Sequence, residues 1–329
     1  MKRFIYGPVP SRRLGRSLGI DLIPHKTCTY DCIYCHLGRT TTKTMQRHEY
    51  VPFSEVVNEL DQNQDILDSS DYITIAGSGE PTLYSRLGDL ITVIKEKTHT
   101  PIAVITNGSL LWDKSIQASI KKADVVIPSL DAGDAVLFQH INRPLSDIAF
   151  EQMVRGLIEF REVFQNKLWL EVLLVGGSTA ITSEVKKIAG IIRKIRPDKV
   201  QVNTVVRPPS EKFAYAVSPG HLEQMAFLLG DNAEIIAEFQ HPDSEHSLSG
   251  AREDILTMLR RRPCTLHDIV SGLGLNWNVA VKHIDYLITL NLVSAKPMHN
   301  NTFFIAREGL NDKGFGACAN NEQCRGPGQ

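Results

Sequence analysis

The stretch Lys26-Thr27-Cys28-Thr29-Tyr30-Asp31-Cys32-Ile33-Tyr34-Cys35-His36 carries three thiols in eight residues, at the spacing C-x3-C-x2-C. Iron-sulfur cubanes are held by cysteine thiolates, ordinarily four, so a run of three leaves one iron without a protein ligand. An open position on a metal is where substrate or cofactor binds. A structural zinc site would need a fourth Cys or His at finger or ribbon spacing, and no partner pair follows downstream. A disulfide would need an oxidising compartment. The N-terminal Met1-Lys2-Arg3-Phe4-Ile5-Tyr6-Gly7-Pro8 has no apolar signal segment, so the expectation is reduced thiols and a cytoplasmic setting.

Around the cysteines the chain is basic. Up to residue 48 it holds Lys2, Arg3, Arg12, Arg13, Arg16, Lys26, Arg39, Lys43 and Arg47 against only Asp21 and Asp31. Such a collar can bind a phosphate or carboxylate, balance the charge of a thiolate-bound cluster, or be a solvated face. The Arg12-Arg13 pair is the candidate for anion binding. The whole chain of 329 residues has a formal charge of -1, 42% hydrophobic and 22% charged residues, so no global field argues for nucleic acid or an anionic membrane. No apolar run reaches the roughly 18 residues of a membrane span.

Short β-rich runs alternate with longer amphipathic ones on either side of the cysteines. Strands are expected at Ser17 to Ile23, Asp71 to Ala76, Ile102 to Thr106, Val125 to Ser129, Leu168 to Val175 and Lys199 to Thr204. Helices are expected at Ser54 to Leu67 with Ser54 as N-cap, Leu87 to Lys97, Asp113 to Lys122, Ile148 to Phe164 and Ser183 to Ile195. Six such βα units imply right-handed crossovers and a parallel sheet, as a partial (β/α)6 barrel or an open doubly wound sheet. Either way the chemistry belongs at the carboxyl ends of the strands, and the cysteine loop follows the first strand.

With the cysteine run after strand one and Gly77-Ser78-Gly79-Glu80-Pro81 after strand two, the chain resembles the radical S-adenosylmethionine superfamily over roughly Ser17 to Asn203. The resemblance implies a partial barrel, a [4Fe-4S] cluster and S-adenosyl-L-methionine, cleaved to a 5′-deoxyadenosyl radical that takes hydrogen from substrate, with a low-potential electron donor as partner. It implies Cys28, Cys32 and Cys35 as metal ligands and Tyr34 near the adenine. It also implies that Gly77, Gly79 and Glu80 receive the methionyl ammonium, and that Asn107, Ser129 and Asp131 lie at the cofactor, ahead of Glu171. Read on their own, Asn107-Gly108 is a turn, Asp131 a helix cap, and Glu171 the partner of a buried Arg. No residue is singled out as catalytic. The N-terminal Gly-Pro-Val-Pro-Ser-Arg-Arg-Leu-Gly run is similar to an iron-sulfur oxidoreductase group allied to wyosine-type tRNA-modifying enzymes, although residues 1 to 27 lack the cysteines those enzymes use for a second cluster.

Beyond a turn-rich segment at 241–250, Ala251 to Arg262, Thr265 to Gly272, Trp277 to Leu290 and a hairpin at Leu292 to Ala295 and Thr302 to Ala306 give a winged-helix pattern. The expected organisation is a barrel domain at 1–240, a linker at 241–250, a winged helix at 251–307 and a Cys- and Gly-rich tail at 308–329. Cys264, Cys318 and Cys324, with His299, are a thin case for an auxiliary metal site, and Cys264 reads equally as a small buried hydrophobe. Between 250 and 300 the bases Arg252, Arg260, Arg261, Arg262, Lys282 and Lys296 face the acids Glu253, Asp254, Asp268 and Asp285. The presumed recognition helix, Asn276 to Leu290, has few groups able to read DNA, so DNA is not the expected partner. The expected function is a radical enzyme acting on a tRNA or protein substrate. The alternative is a cluster-based redox or iron sensor with a winged-helix output, which would need a cluster but no cofactor cradle.

Overall fold

The computed structural model describes residues 4–236, 251–275, 277–298 and 301–307. An antiparallel hairpin, β1 (Ile5–Ser11) and β2 (Gly15–Ile20), starts the chain. A two-residue β3 (Thr27–Cys28) pairs with β4 (Thr42–Lys43) across the cysteine loop. Then come α1 (Phe53–Asp61), α2 (Gln64–Asp68), β5 (Tyr72–Ile75), α3 (Leu87–Lys97), β6 (Ile102–Thr106), α4 (Lys114–Ile120), β7 (Val125–Pro128), α5 (Ala135–Ile141), α6 (Phe150–Val163), β8 (Lys167–Leu174), α7 (Thr182–Ile195), β9 (Lys199–Thr204), α8 (Pro219–Leu229) and β10 (Ala233–Ile235).

Eight strands form one sheet in the order β1-β2-β5-β6-β7-β8-β9-β10, and every pairing after the hairpin is parallel. All six expected strands are present, with β1 and β10 added. The four residues of β7 are all buried, as a parallel strand covered on both faces should be. The helices show the complementary pattern: α7 buries Val185, Ile188, Ala189, Ile192 and Ile195, the spacing of one apolar stripe.

The sheet curls. Arg13, in the β1–β2 turn, forms a two-pronged ion pair with Glu171 of β8, each prong 2.8 Å. Four strand spacings separate β2 from β8, roughly 19 Å if flat, farther than one arginine extends. Leu14 likewise packs with Ala103, Val125, Ile127 and Trp169 on the concave side. Two expectations change. The helix expected at 54–67 divides into α1 and α2 around Gln62 and Asn63, and its N-cap is Pro52 rather than Ser54, which lies inside the first turn.

The C-terminal unit comprises α9 (Ala251–Arg261), β11 (Cys264–Thr265), α10 (Leu266–Leu273), α11 (Trp277–Thr289), β12 (Val293–Met298) and β13 (Asn301–Ala306), with a sheet in the order β11-β13-β12. Thr265 and Asp268 close a capping box on α10, and Gly274 ends it in the left-handed region. Its core of Ile255, Leu259, Ile269, Ile284 and Leu287 takes in Val9 from β1, so the unit packs on the sheet's edge strand. Cys264 is fully buried in that core, where burial pushes its thiol up, as fits a small hydrophobe. The expected linker at 241–250 and tail at 308–329, with Cys318, Cys324 and His299, lie outside the described residues. No helix among the described residues is long and apolar enough to cross a membrane.

Candidate active site

The cysteine loop leaves β2 and lies over the carboxyl ends of the parallel strands. Lys26 N bonds Ser78 O at 2.7 Å and Glu80 N bonds Thr27 O at 3.2 Å, which joins the loop to the Gly77–Pro81 turn after β5. The glycines in that turn are dictated by this packing. A Cβ on Gly79 would sit 1.9 Å from Thr27 O, and one on Gly77, at φ +149°, 2.3 Å from Asp21 Cγ. Asp21 in turn accepts from Ser78 N at 3.1 Å and Ser78 Oγ at 2.6 Å, and pairs with Arg261 of the C-terminal unit.

Each of the three thiols has its own N–H donor. Asn107 Nδ2 lies 3.5 Å from Cys28 Sγ, Asn142 Nδ2 3.6 Å from Cys32 Sγ, and Lys26 Nζ 3.2 Å from Cys35 Sγ. Donors aimed at sulfur stabilise thiolates and tune a cluster they hold. All three cysteines are free and half-buried. Burial pushes Cys28 up to about 12 and Cys32 upward as well, so these are protonated thiols that must lose protons on metal binding. Among the described residues no three His, Cys, Asp or Glu side chains close on a point that would hold a single ion. Three separate soft donors, each backed by an N–H, fit a cubane.

Glu80 is buried and accepts four bonds: Thr82 N at 3.0 Å, Thr82 Oγ1 at 2.6 Å and Thr106 Oγ1 at 2.6 Å on Oε1, and Asn107 N at 2.8 Å on Oε2. Burial raises its carboxyl despite these donors. Asn107 is fixed twice, its amide N–H on Glu80 and its side chain also donating to Thr29 Oγ1 at 2.7 Å. Gly108, at φ +75°, makes the turn expected there.

Asp131 is buried, accepting from Tyr34 OH, from Asn142 Nδ2 at 2.8 Å and from Leu173 N at 3.0 Å. Burial pushes it up to about 6. It does not cap a helix; Asp134 caps α5 instead. Ser129 bridges to Glu171 beside it. Glu171 has the buried-Arg partner weighed from sequence, and Asn203 Nδ2 donates to it at 3.0 Å. Burial pulls its carboxyl up, but Arg13 and these bonds outweigh burial and hold it below the ordinary value. Lys26 belongs to the basic collar expected to balance a cluster's charge but was not singled out, and Asn142 escaped the sequence reading. Lys26 stands two residues before Cys28 in the basic segment, a signal that was available. Asn142 meets Cys32 only through the fold. Two other recesses, one between α7 and α8 around Phe227 and one along α6 around Arg155, contain none of these residues.

The profile of the radical SAM superfamily matches residues 22–189, just over half of the chain. The chain belongs to the radical SAM superfamily, among the UPF0026 proteins. It is 35% identical to a UPF0026 protein of Methanocaldococcus jannaschii over 235 residues, covering 71% of this chain and 72% of that protein. It is 32% identical to one from Helicobacter pylori strain J99 over 307 residues, 92% of this chain and 97% of that one. A Brachyspira hyodysenteriae protein named GTPase Obg is 43% identical over 270 residues, 80% of this chain but only 39% of its own length. Among solved structures, SuiB of Streptococcus suis bound to its precursor peptide has a TM-score of 0.51 at 16% identity, over 66% of this chain and 47% of that one. The enzyme anSMEcpe with bound AdoMet has 0.50 at 16%, over 67% and 63%. The radical SAM protein is thus an enzyme on an α/β fold with a parallel sheet.

Proposed function

We propose that this radical SAM enzyme binds a [4Fe-4S] cluster through Cys28, Cys32 and Cys35, with S-adenosylmethionine at the fourth iron. The observation that carries the reading is the thiol trio with one N–H donor each, stitched to the Gly77–Pro81 turn at the carboxyl ends of β2 and β5. A cluster held by Cys28, Cys32 and Cys35, once reduced by an external low-potential donor, would supply the electron for reductive cleavage of S-adenosylmethionine and so the means of taking hydrogen from a substrate. The chain's own residues set the stage. Glu80 fixes the turn and aims Asn107 at Cys28, and Gly77 and Gly79 let the turn close on the loop. Asp131, Tyr34 and Asn142 form one buried network behind Cys32, and Ser129 stands beside it. These residues would orient the cofactor and exclude water, which is the protein's share in such chemistry.

The cradle favours an enzyme over a cluster-based sensor, which needs no such turn. The parallel strands, curled around Leu14 and Glu171, support a partial barrel, and the three helices with the small β11-β13-β12 sheet support a winged helix over 251–307. Because α9 and α10 pack on β1, docking on its own barrel is the reading of the winged helix that the contacts support. Protein reconstituted anaerobically with iron and sulfide should hold one cubane and, with reductant, convert S-adenosylmethionine to 5′-deoxyadenosine. A Cys32→Ala protein that did the same would sink the assignment.

A further inference from the structure

Four arginines meet where the β1–β2 turn, the segment after β9 and the C-terminal unit come together, and only Arg13 has a carboxylate of its own. Arg207 Nε donates to Pro263 O at 3.3 Å and Arg262 Nη2 reaches Pro10 O at 3.5 Å, so three chain segments are tied together at this point. Neither Arg12, Arg207 nor Arg262 forms an ion pair among the described residues. Two acids act on these guanidiniums from nearby, Glu171 and Asp268 on Arg12 and Asp268 on Arg207, but each makes its direct bonds elsewhere. Glu171 is taken by Arg13, and Asp268 caps α10 through Thr265 N at 2.9 Å and Thr265 Oγ1 at 3.0 Å. The three guanidiniums are half-buried and feel one another. Burial, then Arg262 and Arg12, holds Arg207 down at about 9, and burial, then Arg13, lowers Arg12. The same three arginines also act on His36, next to Cys35, so the cluster lies beside the cysteine loop, while the cation in contact with a sulfur is Lys26.

Partly desolvated like charges with no directly paired carboxylate, only partly offset by Glu171 and Asp268, cost stability unless a ligand supplies the charge. A lone carboxylate would use one guanidinium fork, as Glu171 uses that of Arg13. Three forks from three segments suit the tetrahedral oxygens of a phosphoryl group. We propose that Arg12, Arg207 and Arg262 form a site for the phosphoryl group of a small phosphorylated substrate, assembled from the barrel and the C-terminal unit together. This rests on the reading of the barrel as the catalytic unit, and it gives the C-terminal unit a share in substrate binding. Half-burial argues for a terminal phosphoryl group over a nucleic-acid backbone, whose phosphates follow an open basic track.

The test uses the full-length protein without cluster or cofactor, with inorganic phosphate and pyrophosphate titrated calorimetrically against sodium chloride of matched ionic strength. One-to-one binding is expected, with pyrophosphate tighter. Arg207→Gln and Arg262→Gln should each weaken it about ten- to a hundredfold, Arg207→Lys less than Arg207→Gln, while Arg161→Gln, at a remote pair with Asp198, changes nothing. The Lys variant keeps charge and stem, so the comparison holds if a Gln variant folds poorly. Equal phosphate affinity in Arg207→Lys, Arg262→Gln and wild type, no response beyond that to chloride, or equal competition by an oligonucleotide without terminal phosphate would overturn the proposal. Cofactor cleavage is assayed separately on loaded protein. Cleavage without phosphate binding removes this site alone, and phosphate binding without cleavage removes the catalytic reading alone.

Discussion

Replacing Glu171 with Gln tests whether the ion pair across the concave side holds the curled sheet together. The side chains of Arg13 and Glu171 are 15% and 12% exposed, so the pair is largely out of water. Removing one partner leaves a charge buried without compensation, which costs about 3–5 kcal/mol. Gln retains one acceptor for Arg13 or for Asn203, which puts the expectation at the lower end, about 3 kcal/mol, or roughly a hundredfold in the unfolding equilibrium. Urea unfolding followed by circular dichroism should show the midpoint falling by about 1 M for a slope near 3 kcal/mol/M. Arg13→Met should cost a similar amount. The double variant Arg13→Met/Glu171→Met should lie close to wild type, because well-packed apolar replacements of buried pairs are often neutral.

The pH dependence has a definite sign. Since Glu171 sits below its ordinary 4.5 in the folded protein, its contribution is present above that value and disappears as pH falls through the folded one. Glu171→Gln should lose that part of the acid sensitivity. A Glu171→Gln protein within 0.5 kcal/mol of wild type, or single variants that simply add in the double, would refute the argument that this pair couples β2 to β8.

Three further outcomes follow from the site. Gly79→Ala places a methyl against the Thr27 carbonyl and should cost more than about 3 kcal/mol by overpacking, seen as a lowered urea midpoint; wild-type stability would show that the loop and turn are not in contact. Asp131 has its carboxyl raised from 3.8 to about 6, so its contribution is full below 3.8 and lost as pH rises through 6, about 3 kcal/mol in all; Asp131→Asn should flatten the stability profile of the apo protein in that window, and an unchanged profile refutes it. Arg261→Ala frees Asp21, and with it the Ser78 amide, whose hydrogen exchange should quicken at least about tenfold by the weaker hold of a pair now broken; unchanged exchange would separate the C-terminal unit from the turn.

The strands were legible because each is a short apolar run between turn signals, and α3 falls on Leu87–Lys97 as expected because its buried positions Leu87, Leu90, Ile91 and Ile94 recur at helical spacing. β1 was not read, since Pro8 and Pro10 look like loop residues; as an edge strand it tolerates both. α8 escaped although Ser218-Pro219 is a fair helix start, because Phe227 and Leu228 add apolar residues beside the stripe of Leu222, Met225, Ala226 and Leu229 and blur it, Phe227 being left exposed. The cysteines were visible as spacing. The donor to Cys32 was not, because Asn142, at the end of α5, lies 110 residues away and meets it only once the intervening βα units are wound into the sheet.

The run Arg260-Arg261-Arg262 is where sequence and structure give different accounts of one charge cluster. In sequence it contributes three of the seven Lys and Arg residues of the C-terminal unit. In the fold, Arg261 stacks on the Tyr6 ring at 4.2 Å and pairs with Asp21 beneath the Gly77–Pro81 turn, while Arg262 turns to Pro10. Arg260 stays exposed, as does Arg252, which lies over Tyr286 at 4.1 Å and donates to His283 at 3.1 Å. The charges of Arg261 and Arg262, turned inward, cannot release counterions from a nucleic acid, so any such binding should have a salt slope shallower than the count of bases suggests. The same inward turn sets two neighbouring guanidiniums at two places in the barrel, one under the proposed cofactor turn and one at the proposed phosphoryl site. Displacing the C-terminal unit would therefore disturb both at once, and that coupling gives the appended unit a physical role in the enzyme without requiring a partner of its own.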